Sequence, residues 1–287
     1  MSMTKEMTSG KPYKLILSFA IPLILGNVFQ QLYNMVDTVI VGKFVGVNAL
    51  AGVGSTGAIN FLVIGFALGI CSGFSIMIAQ RFGAGDYSGM RKFIANSIYL
   101  CIAVAVILTA VTMLLTKPIL TVMNTPKEIY DYAYNYIIII FAGISATMFY
   151  NILSGILRAV GDSRTPLIFL GVSSVLNVGL DLLCIIVFKM GVAGAGIATV
   201  ISQAISAFLC LIYIRKNYDI LRFEHDELKF EAHRAKRLVS VGIPMALQFS
   251  ITAIGSIILQ SAVNSLGTAS VASVTAATKI QTVAIGP

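Results

Sequence analysis

Asp37 and Asp181 stand inside two long apolar stretches, residues 19–41 and 167–188. Each stretch is long enough to cross a bilayer. The other acids (Glu6, Asp86, Glu128, Asp131, Asp162, Asp219, Glu224, Asp226, Glu227 and Glu231) fall in the N-terminal tail, in polar connections or at span ends. A carboxylate at membrane depth is costly unless a partner, water or a proton meets it. Two of them in one chain point to ion or proton handling.

The neighbours of these acids bear oxygen as well. Asn177 precedes Asp181 by four residues and Asn34 precedes Asp37 by three, so each amide shares a helical face with its acid. Asn27, Gln30, Gln31, Asn34, Asp37 and Thr38 recur every three or four residues and form one polar stripe on an apolar helix. Such a stripe faces a bundle interior or a water-filled cavity; its other use is as interhelical glue. Counting about 1.5 Å per residue from the span ends puts Asp37 roughly 7 Å below the outer edge and Asp181 roughly 10–12 Å deep. Thr199, on the next inward-running span, comes to a similar depth. Two carboxylates, two amides and a hydroxyl at one level suit a hard monovalent cation. Two close carboxylates in low dielectric cannot both stay charged cheaply. The site therefore fits Na⁺ or H⁺, and spacing does not choose between them.

The elements that must hold these groups are membrane helices. Mean hydropathy is +0.89, with 57% hydrophobic and 11% charged residues, far from the soluble average. Apolar runs at 14–41, 50–80, 93–116, 130–157, 166–188, 192–214, 238–265 and 268–287 predict eight helical spans. They lack the alternation of barrel strands, and the first run is too long for a signal peptide and has no cleavage site. One set of connections holds Lys5, Lys11, Lys14, Arg81, Arg91, Lys92, Arg158, Arg164, Arg215, Lys216, Arg222, Lys229, Arg234, Lys236 and Arg237. The opposite set holds Lys43, Lys117, Lys127 and Lys189, and Lys279 lies in the eighth span. The positive-inside rule then puts the N-terminus in the cytoplasm of a cell (plasma or inner) membrane. It also makes the +8 net charge a topology signal, with no nucleic-acid partner implied. Cys71, Cys101, Cys184 and Cys210 all lie in spans without ligand spacing, which argues against disulfides or zinc.

Residues 215–237 form the longest polar segment, a cytoplasmic linker with exposed side chains. Across it Ser18-Phe19-Ala20-Ile21-Pro22 returns as Ser240-Val241-Gly242-Ile243-Pro244, and Gly46…Ala51-Gly52-Val53 as Gly267…Ala272-Ser273-Val274. Six spans and a restart mean tandem lobes: residues 1–214 a six-helix N-lobe, and 238–287 the first two helices of a C-lobe. Read this way, about four helices of the second lobe are missing. Span 7 repeats the polar stripe (Gln248, Thr252, Ser256, Gln260, Asn264) without an acid. Pro22 removes a backbone hydrogen bond from the first span and makes it the candidate conformational hinge, or a static kink. Gly65, Gly69 and Gly73 form a double GxxxG read as helix packing.

Together these stretches resemble the multidrug and toxic compound extrusion (MATE) family, DinF-like and NorM-like members included, over essentially the whole chain. The matching residues are Ile21-Pro22…Asn34-Met35-Val36-Asp37, Gln80-Arg81-Phe82-Gly83-Ala84-Gly85 and Arg158 to Pro166. Asn177 to Asp181 and Gly191 to Thr199 complete the match. The resemblance implies an all-α integral membrane protein, a two-lobe helical bundle. It implies an antiporter that couples Na⁺ or H⁺ to export of organic, often cationic, compounds. It further implies an N-lobe cation site at Asp37, Asn177, Asp181, Thr199 and the backbone carbonyl of Ala195. Residues 238–287 contain no acid, which departs from members with a second-lobe site and favours DinF-like coupling.

Three other readings compete. A flippase of a lipid-linked precursor shares the two-lobe architecture but needs a basic cavity, for which only Lys279 lies inside a span. Lys279 either faces the cavity or pairs with an acid on a missing helix. An intramembrane aspartyl protease expects Gly-x-Gly-Asp at depth, whereas Ala159-Val160-Gly161-Asp162 lies in a basic loop. A passive channel fits tandem lobes poorly. The cavity candidates are Gln30, Tyr33 and Lys279, with Phe29, Phe149 and Tyr150 as wall residues. Expected partners are small organic substrates and the bilayer; no cofactor beyond the coupling ion is expected, and the full-length protein is read as a monomer.

Overall fold

The computed structural model describes residues 12–285. The side chains of Pro12, Lys14, Leu32, Tyr33, His225, Lys279 and residues 282–285 lie outside what it describes. The described chain folds into helices α1 (Pro12–Phe44), α2 (Val47–Ser55), α3 (Gly57–Gly83), α4 (Tyr87–Val122) and α5 (Lys127–Ala142). These are followed by α6 (Ile144–Ala159), α7 (Arg164–Leu182), α8 (Gly191–Asn217), α9 (Ala232–Ser265) and α10 (Thr268–Ile285). Among the described residues, α1, α3, α4, α7 with the π-turn after it, α8 and α9 are long and apolar enough to cross a membrane. The pair α5–α6, bent by 48°, adds a seventh when read as one span. The arrangement is an all-α bundle: six spans, α1 to α8, followed by two further helices, α9 and α10.

Three expected spans differ in detail. Residues 50–80 are not one helix, because the chain breaks at Thr56. There the Ser55 hydroxyl donates to the Gly52 carbonyl at 2.8 Å and the Thr56 hydroxyl to the Val53 carbonyl at 2.7 Å. These side chains compete for carbonyls that would otherwise continue the ladder. Residues 130–157 bend at Gly143, which packs so closely on α8 that an added Cβ would lie 2.2 Å from Val200 Cγ2. Of the expected span 268–287, the described residues form α10 (Thr268–Ile285), which is not among the helices long and apolar enough to span. Its Ser and Thr residues dilute the apolar surface, and its buried side, Val271, Ala272 and Thr275, packs near α2.

The main core is built by α3, α4, α5, α6 and α8 around Phe74, Phe93, Phe141, Met148 and Ile152, all buried. The GxxxG ridge of α3 meets α9: a Cβ on Gly69 would lie 2.4 Å from Ala246 Cα, and one on Gly73 2.6 Å from Gly242 Cα. Only small residues permit backbones to approach this closely. The repeat also has a backbone signature. Gly46 and Gly267, equivalent in the two copies, both take positive φ (122° and 89°) where a long proline-bearing helix hands over to the next.

Most linker side chains are exposed, as its composition suggests, but the segment is pinned at a few points. Two single turns (Asp219–Leu221 and His225–Leu228) fold it onto α4. Glu227 is 2% exposed and accepts from Arg91 Nε at 2.5 Å, Arg91 Nη2 at 2.8 Å and the Ser88 hydroxyl at 2.8 Å. The Arg91 guanidinium holds the Glu227 carboxyl down at about 2. Asn96 Oδ1 accepts from the backbone N–H of Glu231 at 2.9 Å, which fixes the start of α9. Bidentate pairing of this kind has the geometry of a lock rather than of a screened surface pair.

Candidate cation site

Helix α7 is amphipathic in reverse. Its buried face is the polar line Ser173, Asn177 and Asp181, while Val175 is 75% exposed and Ile168 62%. In water such a helix would expose the wrong side; in lipid it hides its polar groups inside the bundle. Helix α1 does the same at its far end, where Asp37 and Thr38 are buried and Val36 and Val39 exposed. Both helices turn these faces toward each other, and α8 closes the third side.

The result is a juxtaposition of carboxyls. Asp181 is fully buried and Asp37 7% exposed, and their carboxyl groups meet within hydrogen-bonding reach. Asn177, also fully buried, lies one turn before Asp181. The amide orientation that satisfies its surroundings donates to Asp181 Oδ2 at 3.0 Å. In that orientation its oxygen accepts from the Thr199 hydroxyl at 3.3 Å and the Thr199 backbone N–H at 3.2 Å. That N–H belongs to the rung of α8 that ends on the Ala195 carbonyl in a regular helix. Ala195 itself is fully buried.

Immediately beyond Asp181 the helix widens into a π-turn, Leu183–Val187. Such single-turn expansions insert an extra residue and re-aim the side chains beside them. Asp181 Oδ1 has no hydrogen-bond partner among the described residues. A buried oxygen next to a second carboxyl is a group that a water, a proton or a cation can satisfy. The oxygen-only donor set fits Na⁺ as well as H⁺.

The other sequence candidates separate. Asn34 is half-buried one turn before Asp37; its backbone carbonyl accepts from the Thr38 hydroxyl at 2.7 Å. No side-chain hydrogen bond among the described residues ties Asn34 to the carboxyls. Gln30 belongs elsewhere. With Pro22, Asn27, Asn151, Ser154 and Arg158 it lines a polar cavity of about 80 Å³. Helix α1 runs through Pro22 without ending. Tyr33 and Lys279 have side chains outside the described residues.

Arg158 was missed. Its sequence position assigns it to a basic loop, but it forms the last turn of α6 and is only partly exposed. Its spacing from Tyr150 and Asn151, two turns earlier on the same helix, was the available signal. Tyr150, expected as a cavity wall, lines the same cavity and donates to the Pro166 carbonyl at 3.2 Å.

Comparison with known proteins agrees with this architecture. The MatE family model matches residues 22–183. Among curated relatives, the probable multidrug resistance protein YpnP of Bacillus subtilis is 32% identical over 263 residues, covering 91% of this chain and 58% of that one. The probable multidrug resistance protein NorM of Thermotoga maritima is 30% identical over 239 residues, covering 82% and 51%. This chain thus spans a little over half the length of these relatives. A solved structure described as the inward-facing conformation of a multidrug resistance MATE family transporter superposes with TM-score 0.84 at 26% identity. It covers 95% of this chain and 62% of its own. The chain is a multi-pass membrane protein, and with more than half its length inside the family model it belongs to the MatE family, the MATE transporters.

Proposed function

We propose that this chain forms the ion-coupling part of an exporter of small organic, often cationic, compounds, in which Asp37 and Asp181 bind Na⁺ or H⁺. The observation that carries this reading is the buried carboxyl pair braced by Asn177 and Thr199. Asn177 gives the site two settings. With its nitrogen toward Asp181 it steadies an ionised carboxylate; turned by half a revolution, it offers its oxygen to a cation. Filling the site removes the repulsion between α1 and α7, and a ligand shifts a conformational equilibrium only through such differential interaction. Pro22 is the hinge on α1 at which that shift is absorbed. The named drug resistance of the relatives supports the substrate class, and the basic connections support a cytoplasmic N-terminus in the cell membrane. The test is efflux from vesicles carrying the full-length protein, driven separately by Na⁺ and by H⁺ gradients. Efflux indifferent to both gradients refutes coupling.

A second reading keeps one specific observation. Arg158 lines a polar cavity beside Gln30 and Asn27, and no ion pair among the described residues neutralises it. A guanidinium there suits a phosphate group, as a flippase of a lipid-linked precursor requires. Competition of efflux by anionic amphiphiles but not by organic cations would favour it.

A further inference from the structure

A larger cavity, about 630 Å³, lies between α4, α6, α8 and the start of the linker. Ile98, Phe149, Leu153, Leu211 and Phe223 give it an apolar wall. No acid lines it, and two arginines, Arg215 and Arg222, do. Tyr218, 2% exposed, also lines it and is held by a 2.5 Å hydrogen bond from its hydroxyl to Asp162. The helices beside the cavity present bare apolar surface: Ile102 and Val106 on α4 and Phe208 on α8 are each about 60% exposed. Such surface in a membrane protein is lipid-facing.

The charges are unspent. Arg215 has no ion pair among the described residues, and Arg222 pairs only with Asp219, at 2.9 Å with both side chains mostly exposed. Exposed pairs of that kind hold weakly and exchange readily for a better acceptor. The cavity volume falls within the range of about 300–1,000 Å³ typical of small-molecule sites. Basic pockets between membrane helices recognise anionic headgroups.

We propose that this cavity binds one anionic phospholipid, with an acyl chain along Ile98, Phe149 and Leu211 and the phosphate on Arg215 and Arg222. The arginine fork matches phosphate oxygens in pairs, and the apolar wall supplies chain affinity that free phosphate lacks. Assignment to the cytoplasmic leaflet rests on the orientation proposed above; the preference for a negative headgroup does not. Because Leu221 and Phe223 belong to the linker, the bound lipid also braces the segment that leads to Glu227.

The test is thermal melting of the detergent-solubilised full-length protein with dioleoyl phosphatidylglycerol, dioleoyl phosphatidylcholine or inorganic phosphate. Phosphatidylglycerol is expected to raise the melting temperature by a few degrees, with little change from the other two. In R215Q/R222Q, whose exposed side chains are not needed for packing, that rise should fall by at least half. Leu211→Trp, which fills the cavity without altering charge, should reduce it as well. Equal stabilisation by phosphatidylcholine, equal stabilisation by inorganic phosphate, or an undiminished rise in R215Q/R222Q would each overturn the proposal. The wild-type lipid comparison decides the matter even if a variant fails to fold, and none of these readouts depends on efflux.

Discussion

Asp37 of α1 and Asp181 of α7 meet carboxyl to carboxyl inside the bundle, with Asn177 hydrogen-bonded to the second of them. Groups so placed act as one unit. Asp37→Asn and Asp181→Asn should each reduce gradient-driven efflux to the gradient-free background, and the double variant should be no worse than either. Folded yield, followed by gel filtration, should stay near wild type, because asparagine resembles a protonated aspartate. Efflux at wild-type rate with equal protein would mean that the pair is structural.

Thr199→Val keeps shape and removes one hydroxyl. The loss of a single hydrogen-bonding oxygen is worth about 0.5–1.5 kcal/mol. The ion concentration for half-maximal efflux should therefore rise by roughly two- to tenfold, with the maximal rate little changed. A fall in maximal rate at unchanged ion dependence would place Thr199 outside the ion shell.

Gly69→Leu should be strongly destabilising. Even the first added carbon meets Ala246 backbone at 2.4 Å, so α3 and α9 must part. Overpacking of this kind costs about 1–3 kcal/mol or more. Gly57→Ala, where an added Cβ meets nothing within 4 Å, should leave the melting temperature nearly unchanged. Equal melting temperatures for the two variants would show that the seam is loose.

Acid should release the linker. The Glu227 carboxyl sits at about 2, below its ordinary 4.5, chiefly because Arg91 donates to it. A depressed carboxyl contributes stability that is complete above the unfolded value and is lost as pH falls through the folded one. Undocking therefore belongs to the window from about 4.5 down to about 2. Glu227→Gln should mimic it at neutral pH, costing about 1.5–3 kcal/mol of local stability. Hydrogen exchange at residues 224–231 reports both effects, and protection unchanged in Glu227→Gln would refute the lock.

Much of this architecture was legible in the sequence because membrane helices are specified by long-range composition and by period. The shared face of Asn177 and Asp181 follows from spacing alone, and depth counting expects Asp37, Asp181 and Thr199 at one level; Ser173 joins that face only in the structure. The breaks were harder. Thr56 and Gly143 sit in unbroken apolar runs, and what interrupts the helix is a hydroxyl taking a carbonyl in one case and the approach of Val200 in the other. Linker docking was invisible for a related reason. A segment rich in Lys, Arg, Asp and Glu reads as solvated until Arg91, far away in sequence, is brought to Glu227. Arg158 was hidden by its place at a span end, where a cation is expected in any membrane helix.

The lock on the linker has a mechanical meaning. Glu227 fastens the linker to α4 and Glu231 fastens the start of α9 there, and α9 then runs for 34 residues. That is an arm about 50 Å long with its fulcrum at one end. The close-packed stretch at Gly242 and Ala246 lies within about the first 20 Å of it, where a tilt moves the backbone least. A rotation of about 10° at the fulcrum would shift that seam by roughly 3 Å and carry the far end of α9 through roughly 9 Å. The seam thus clamps the lever well short of its tip, and near the tip Asn264 holds it again, its amide donating to the Met123 carbonyl at 2.9 Å.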